Sequence, residues 1–462
     1  MKSLLFGKLA ALVAVAAALL LGLNAIDGIV QERQDRQLEA ERTVAHGLAG
    51  EQTLLGPMLR RQCEETRTHV QVSGADAKSK SEGTPERKTF VQILWPHRLA
   101  VTSSAKLEPR YRGLFKVNGY LADSTLVADW RPVDLAQPAS DEAGVRVVCQ
   151  PPTLALVLGD VRGIRSATVV VNEVDREVQA GSDAEDKSGG LHATLPEMPA
   201  GGGPVHAVVQ LALAGTGSLA WTPVGDESTV DITSDWPHPS FAGQFLPVAR
   251  EVTPRGFTAR WRVSSLASGA QRQYRSDGGA CGLRDGNEDF ADPARSKTCA
   301  DSFGVRFIDP VNPYVLSDRA LKYGILFIGL TFIGVALVEL TRRLRVHPVQ
   351  YLLVGCALTV FYLLLISLSE HIGFGAAYAC AATACSGLLG FYGANVLGGA
   401  RPGLAFGAAI GLLYGALFML LQQEQSALVL GSLLMFAALA TVMFVTRRTD
   451  WYALSGKPSG PG

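Results

Sequence analysis

Glu370 and His371 are adjacent ionisable residues at the end of a long apolar segment, and Ser367 and Ser369 come just before them. Ionisable groups at the edge of a membrane can relay protons or hold a cation, and histidine titrates near neutral pH. The alternative is that the two residues only cap a helix end in the headgroup layer. The pair is therefore our candidate polar site at an outer membrane edge.

Gly215-x-Gly217-x-x-Ala220 has the glycine spacing of a dinucleotide-binding loop. That motif must open a helix, whereas here the strand-favouring Leu219-Ala220-Trp221 follows the glycines. We interpret the stretch as a hairpin turn.

A second partial motif, Asp285-x-Asn287-x-Asp289, begins like a calcium-binding loop. Phe290 stands where the loop needs glycine, and Ser296 stands where the bidentate glutamate belongs. A solvated acidic loop is the better interpretation.

Other catalytic patterns are missing from the sequence. It has no His-Glu-x-x-His, no Gly-x-Ser-x-Gly, no phosphate-binding loop and no Cys-x-x-Cys. The histidines are scattered, and no two have a helix-face spacing suited to a metal. We therefore expect no catalytic residue, no cofactor, no metal site and no enzymatic activity. The 42 basic and 42 acidic residues balance, so bulk charge predicts no nucleic-acid partner.

The last third of the chain is a hydrophobic block, and its few charges fall at breaks between apolar runs. Those charges are Glu339, Arg342, Arg343, Arg345, Glu370, Arg401 and Glu424. About 20 apolar residues span a bilayer as a helix. The block therefore predicts five membrane spans: Lys322–Thr341, Gln350–Ser369, Gly375–Leu397, Leu404–Leu421 and Ala427–Val445.

Another apolar segment, Leu9–Leu23, follows Lys2 and Lys8 near the N-terminus. A cleaved signal peptide has this pattern, but here the small residues Ala14–Ala18 lie inside the apolar core. The chain then continues into a polar helical stretch, Gln31–Leu48. We favour an uncleaved signal anchor, which gives six transmembrane helices in all.

The positions of lysine and arginine orient these helices, because an excess of basic residues marks cytoplasmic loops. Lys2 and Lys8 place the N-terminus inside, and Ala25–Arg319 then lies outside. Each short loop with arginine falls inside, and the two outer loops carry only acidic charge. Both termini are therefore expected in the cytoplasm.

Gly403, Gly407, Gly411 and Gly415 recur every four residues and so form one stripe on a helix. In lipid, small residues at this spacing let two helix backbones approach closely. Gly373, Ala377, Ala381 and Cys385 form a weaker stripe. We expect helix packing, and a pore lined by the glycines is the minor alternative.

The segment before the block predicts a large β-rich, sandwich-like domain. In Gly256–Val263 apolar and polar residues alternate, as in a half-buried strand. Ser73–Lys88 and Ala180–Gly203 are predicted to be flexible loops. The predicted strands are Phe90–Leu94, Leu114–Tyr120, Leu154–Leu158, Ala167–Val171, Val205–Ala212, Thr229–Thr233 and Gly256–Val263.

Seven cysteines divide between the two parts of the chain. Cys356, Cys380 and Cys385 lie in apolar spans, where small packing residues are expected. The other four lie in the external, oxidising part: Cys63, Cys149, Cys281 and Cys299. Cys281 and Cys299 close a short polar loop and are the better pair, although four cysteines allow three connectivities.

Several long segments resemble the CreD family of bacterial inner-membrane proteins. From Trp221 to Ala267 the chain reads WTPVGDESTVDITSDWPHPSFAGQFLPVAREVTPRGFTARWRVSSLA, and from Gly304 it reads GVRFIDPVNPYVLSDRALKYGILFIGLTF. From His347 it reads HPVQYLLVGCALTVFYLLLISLSEHIGF, with the shorter IVQERQDR from Ile29 and LLGPML from Leu54. The likeness covers nearly the whole chain, but the Cys281–Cys299 loop falls outside it.

The resemblance implies a role in cell-envelope integrity, linked in several bacteria to a two-component regulon and to tolerance of colicins or β-lactams. It brings no assigned reaction, cofactor or catalytic residue. The implied location is the bacterial inner membrane, with the large domain in the periplasm.

We therefore predict a multi-domain protein with a six-helix polytopic membrane domain. Residues 1–26 form the cytoplasmic start and anchor, 27–317 the periplasmic β-rich domain, 318–446 the five-helix block and 447–462 a cytoplasmic tail. The expected partners are the lipid bilayer and an unidentified envelope or periplasmic component. The alternative function is a transporter or channel that uses Glu370 and His371.

Overall fold

The fold is taken from a computed structural model. It describes residues 2–67, 70–72, 80–82, 86–133, 145–182, 189–196, 202–276, 279–281, 283, 299–309, 312–342, 346–422 and 427–447. The chain divides into two compact units. The β unit is Glu39–Pro310, and the helical unit joins Met1–Leu38 to Val311–Gly462.

The described strands number nineteen, and all of them lie in the β unit. In chain order they are β1 (Gln52–Arg67), β2 (Val70–Val72), β3 (Lys80–Glu82), β4 (Glu86–Leu94), β5 (Arg98–Arg112), β6 (Phe115–Val133), β7 (Val145–Cys149), β8 (Thr153–Leu158), β9 (Ile164–Val171), β10 (Val174–Arg176), β11 (Gln179–Ala180), β12 (Gly190–Thr194), β13 (Gly203–Thr216), β14 (Ser218–Thr222), β15 (Glu227–Ser234), β16 (Ser240–Gly243), β17 (Ala249–Thr253), β18 (Gly256–Ser264) and β19 (Phe303–Arg306).

Two large sheets account for most of these strands. The first has nine strands in the order β11-β12-β8-β1-β14-β19-β16, with β4 and β7 also paired to β1. The second has eight, in the order β10-β9-β13-β6-β5-β15-β18-β17. Residues of both sheets join one hydrophobic core, as in a β-sandwich. The predicted sandwich-like, β-rich fold is confirmed.

Trp261 lies at the centre of this core and is completely buried. It is on β18, where buried and exposed side chains alternate as the sequence predicts. Its ring lies 5.5 Å from that of Phe303 and 6.4 Å from that of Trp221, both of which belong to the opposite sheet. Aromatic contacts across the layer therefore hold the two sheets face to face.

β1 is the central strand of the first sheet, and its first ten residues are all buried. It pairs with β14 in parallel and with β4, β7 and β8 in antiparallel register. Its register against β8 shifts between Leu55 and Met58, at Gly56-Pro57. Proline has no N–H to donate to the ladder, which accounts for an irregularity at this point.

The structure corrects three of our interpretations. Gly217 does not turn a hairpin, because β13 and β14 belong to different sheets and the chain crosses between them there. Its φ of 75° is the left-handed conformation that glycine permits, which lets the chain change direction. Within the predicted loop Ala180–Gly203, residues Gly190–Thr194 form strand β12 against β8. In Ser73–Lys88, the described residues 80–82 and 86–88 also lie in strands.

Seven α-helices are described. They are α1 (Lys2–Gly47), the short α2 of the β unit (Ala270–Arg275), α3 (Pro313–Arg342), α4 (Pro348–Ser369), α5 (Phe374–Val396), α6 (Ala400–Gln422) and α7 (Ala427–Thr446). By length and apolar composition, α1, α3, α4, α5 and α6 could each cross a membrane, and α7 carries a shorter apolar stretch, Val429–Phe444. One N-terminal and five C-terminal apolar helices are thus present, as predicted.

Asp160 and its neighbour Arg162 bind the C-terminal end of α1 and the residues that follow it. Its carboxylate accepts a hydrogen bond from the backbone N–H of Gly50 at 2.9 Å and pairs with Arg162 at 2.6 Å. Arg162 in turn donates to the carbonyl of His46 at 2.7 Å. The hydrogen bonds from the Arg162 side chain, with those from the Gly50 and Arg162 backbone N–H groups, lower the pKa of Asp160 to about 2.

The low pKa of Asp160 makes the stability of the β unit depend on pH. We expect Asp160→Asn to reduce the free energy of unfolding at neutral pH by about 1–2 kcal/mol, since charge-assisted hydrogen bonds are lost. The contribution of the carboxylate is complete above its unfolded pKa of about 4. It disappears as the pH falls toward 2, so wild type and variant should converge there.

This prediction can be checked by thermal unfolding of the purified full chain, followed by tryptophan fluorescence across that pH range. Glu251→Gln, on the exposed strand β17, is the control and should leave stability unchanged. A constant difference between wild type and Asp160→Asn at every pH would contradict the role assigned to the carboxylate.

Candidate functional site

Glu370 is held between two helices other than its own. Its Oε1 lies 3.2 Å from Arg33 Nε of α1, and it accepts a hydrogen bond from the Tyr314 hydroxyl of α3 at 3.3 Å. The Glu370 side chain is only 7% exposed, and that of Arg33 is 34% exposed. A buried carboxylate is expensive unless it is paired, and these two contacts provide the pairing.

Local helix-end structure positions these groups. Glu370 is the C-cap residue of α4. Asn312 precedes α3, and its side chain accepts a hydrogen bond from the Tyr314 backbone N–H at 3.0 Å, as an N-cap residue does. The same amide donates to Gln37 of α1 at 3.0 Å. The start of α3 and the end of α4 are thus both fixed to α1.

The structure separates the two residues of the predicted pair. His371 is exposed, and its backbone N–H donates to Leu368 at the end of α4. Ser369 is buried and donates to the carbonyl of Ile366 at 2.8 Å, while Ser367 is exposed. Glu370 therefore takes part in an interhelical ion pair that does not include His371.

The partners of Glu370 were missed in the sequence analysis because they are far away along the chain. Arg33 lies in the segment IVQERQDR and Tyr314 in DPVNPYVLSDR, two of the segments that carry the family resemblance. The sequence did offer one signal for this contact, because Arg33 is a charged residue on the polar continuation of the predicted anchor helix.

Glu339, at the other end of α3, makes a similar contact. It accepts hydrogen bonds from the Tyr351 hydroxyl at 2.9 Å and from the Val346 N–H at 3.4 Å. In the sequence Glu339 is close to the cluster Arg342, Arg343 and Arg345, and an ion pair with that cluster stays a prediction, because the three arginine side chains lie outside the described residues.

The glycine stripe of α6 lies against α5 at one end only. A Cβ atom at Gly403 would lie 2.5 Å from the backbone of Ala394, and one at Gly407 would lie 3.0 Å from Gly390 Cα. At Gly411 the nearest atom would be Ser386 Oγ at 3.6 Å, and at Gly415 nothing lies within 4 Å. The close backbone approach therefore involves Gly403 and Gly407.

The second stripe of small residues runs along α5. Ala377, Ala381 and Cys385 are buried, and the Cys385 thiol lies 3.6 Å from the carbonyl of Ala357 on α4. Gly373 is the N-cap residue of the helix. This face of α5 thus packs on α4, and the adjacent stripe of Ser386, Gly390 and Ala394 meets α6.

Three cavities lie in the described part of the helical unit. An apolar one of about 30 Å³ lies among α3, α4, α5 and α6, and one of about 10 Å³ lies beside Tyr362 and Tyr414. An open groove of about 620 Å³ runs between α5 and α6, lined mainly by small residues. None of these three is lined by Glu370 or His371.

The β unit contains two disulfides. Cys281 is bonded to Cys299, the pair that the short loop favours. Cys63 is bonded to Cys149, and these two residues face each other across β1 and β7. Residues Asp285, Asn287 and Asp289 lie outside the described part of the chain. Among the described residues, no three His, Cys, Asp or Glu side chains are grouped so that they could hold a metal.

Together these features define a multi-pass membrane protein with a large two-sheet domain inserted between its first and second membrane helices. Residues 4–452 match the family described as "Inner membrane protein CreD". The chain belongs to the CreD family and is a multi-pass protein of the inner membrane. The family resemblance seen in the sequence is confirmed.

A curated relative supports the assignment over almost the full length. The chain is 35% identical over 457 residues to "Inner membrane protein CreD" of Escherichia coli (strain K12), which covers 98% of this chain and 95% of the relative.

Likeness to solved structures is much weaker. A putative nutrient binding protein from Legionella pneumophila is 6% identical with a TM-score of 0.22, covering 37% of this chain and 64% of that one. An M1 zinc metallopeptidase from Deinococcus radiodurans is 15% identical with a TM-score of 0.21, covering 36% and 38%. Scores this low carry no argument about fold or function.

The contacts of Glu370 predict a structural effect of its replacement. Glu370→Gln removes the charge that faces Arg33, so we expect the free energy of unfolding of the helical unit to fall by about 1–3 kcal/mol. His371→Ala is the adjacent control and should leave stability unchanged. Thermal unfolding of the full chain in detergent measures both.

A double-mutant cycle with Arg33→Gln tests whether the two charges act together. The double variant should lose clearly less than the sum of the single losses. Full additivity, or unchanged stability in Glu370→Gln, would contradict the ion pair.

The same Gly→Ala substitution should affect stability differently at the two ends of the glycine stripe. Gly403→Ala places a methyl group against the Ala394 backbone, so we expect a loss of about 1–3 kcal/mol from overpacking. Gly415→Ala makes the same change on the same helix in open space, so it should be neutral. Thermal unfolding of the two variants provides the comparison, and equal losses would show that close packing of α5 and α6 is not the cause.

Proposed function

We propose that this protein supports cell-envelope integrity and tolerance of envelope stress as a non-enzymatic binding protein. In this proposal the β unit lies in the periplasm and binds an envelope component or a protein partner. The helical unit anchors it in the inner membrane. The observation that carries the proposal is the large, disulfide-bonded β domain inserted between membrane helices.

The orientation rests on two independent arguments. Disulfides form and persist in the periplasm and are rare in the cytoplasm, which favours a periplasmic β unit. The basic residues of the short loops favour the same arrangement, because they mark the cytoplasmic side. Both termini are then cytoplasmic.

An exposed extension of the first sheet offers a surface for a partner. It consists of β4 and β7 on either side of the second half of β1, and in the described residues each of the two pairs only with β1. Phe90 is 38% exposed on one face of this extension, and Val91 and Val148 are 42% and 49% exposed on the other face. Apolar side chains beside unpaired strand edges are features that bind extended segments of other proteins. We therefore favour a protein partner.

Site-specific photocrosslinking in intact cells tests the proposal. A benzophenone amino acid that replaces Phe90 should capture one specific envelope protein, while the same group at the exposed Leu266 should not. Identical adducts from the two positions, or none from position 90, would count against binding at this surface. A Phe90→Ser, Val91→Ser variant should also reduce stress tolerance at unchanged protein level, because it removes apolar contacts.

The transporter alternative stays a prediction. It requires that Glu370→Gln and His371→Ala each abolish function while protein levels are unchanged. We do not advance it, because the contacts of Glu370 with Arg33 and Tyr314 account for that carboxylate as part of the helix packing.

A further inference from the structure

Strands β5 and β6 form a long hairpin whose turn is unusually apolar. We call residues Arg110–Lys116 the hairpin tip. Gly113, with a φ of 60°, begins the two-residue turn, and Leu114 completes it. Such turns normally carry polar residues beside the glycine. Here Leu114 is 57% exposed and Tyr111 is 69% exposed.

Basic residues surround these two side chains. Arg110, Arg112 and Lys116 lie within the hairpin tip, and the Lys116 ammonium lies 5.7 Å from the ring centre of Trp236. Tyrosine and tryptophan favour the interfacial layer of a bilayer, and lysine and arginine favour anionic headgroups. The composition of the hairpin tip is therefore that of a membrane-surface anchor.

The hairpin tip and the residues just after it contact the segment that precedes α3 in the chain. Lys116 Nζ pairs with Asp309 at 3.0 Å, and the Asn118 side chain donates to the carbonyl of Phe307 at 3.0 Å. Asp309 comes four residues before Pro313, where the apolar helix α3 begins. Four residues reach at most about 14 Å, so Asp309, the partner of Lys116, lies within that distance of Pro313 along the chain.

We propose that the hairpin tip docks on the bilayer in which this protein is embedded. Tyr111 and Leu114 enter the interfacial layer, and Arg112 contacts anionic headgroups, with Arg110 and Lys116 beside it paired to Glu108 and Asp309. Single exposed apolar residues are ordinary on protein surfaces. This case differs because two of them share one turn, are flanked by three basic residues, and lie beside the segment that leads into α3. The occupant is a lipid surface, and a protein contact is an outcome of the test.

Leu266 provides a matched control position within the same unit. It is 97% exposed, and its neighbour Ser265 donates to the carbonyl of Asp226. Glu227 follows Asp226 and lies opposite Arg98 in the register of β15 with β5. Arg98 is at the end of β5 that is farther from the hairpin tip. The two positions thus sample the two ends of the second sheet.

The experiment uses the full chain with a benzophenone amino acid at position 114 or 266, reconstituted in vesicles of phosphatidylethanolamine and phosphatidylglycerol. After irradiation, mass spectrometry counts lipid adducts at each position. We expect about tenfold more lipid adduct at 114, because a side chain in the interface remains in contact with acyl chains. Equal adduct at both positions, or crosslinks from 114 only to protein, would overturn the proposal.

A second comparison tests the basic residues. Arg112→Glu, combined with the probe at 114, should lower the lipid adduct roughly fivefold in vesicles with phosphatidylglycerol. It should have a smaller effect in phosphatidylcholine vesicles, where the surface carries no net charge. An equal effect in both vesicle types would overturn the headgroup contact. Retention of both disulfides and of the thermal midpoint shows that the variant is folded.

Discussion

The hydrocarbon of the bilayer offers no hydrogen-bond partner, and the helical unit follows from that constraint. Its backbone must be helical, and its ionisable side chains must lie at helix ends and find partners there. Glu370 and Tyr314 meet at one end of α3 and α4, and Glu339 and Tyr351 meet at the other. In each case the glutamate carboxylate of one helix accepts a hydrogen bond from the tyrosine hydroxyl of the other. The two helices are thus tied at both ends, while apolar contacts occupy the length between.

The same demand for paired backbone groups is met differently in the β unit. β1 passes through the middle of the first sheet and uses both of its edges along most of its length. The buried side chains of Ser103 and Ser124 satisfy each other between β5 and β6, where their hydroxyl oxygens lie 2.9 Å apart. Trp261 then joins the sheets from within. Backbone hydrogen bonds thus hold the strands together within each sheet, and aromatic packing holds the two sheets together.

The sequence predicted the features whose signals are local. Apolar runs of bilayer length identified the membrane helices, and the alternation around Trp261 identified β18. β5 was missed because Ser103, Ser104 and Ala105 dilute its alternation, although the burial pattern is regular. The pairing of Glu370 with Arg33 and the bond between Cys63 and Cys149 join distant segments, so no local pattern encodes them. The wrong interpretation of Gly217 has the same origin: a turn is visible in sequence, but the sheet that the next strand joins is not.

The position of the Cys63–Cys149 disulfide bears on what the β unit does. Beyond Cys63, β1 leaves the shared core, and the residues of β4 that flank it there are exposed. Strands without a buried face are only marginally stable in water, because backbone hydrogen bonds alone barely offset the loss of chain entropy. A covalent bond between β1 and β7 at this point holds an extension that burial does not hold. This part of the sheet lies outside the shared core, and under the proposed function its role is contact with a partner.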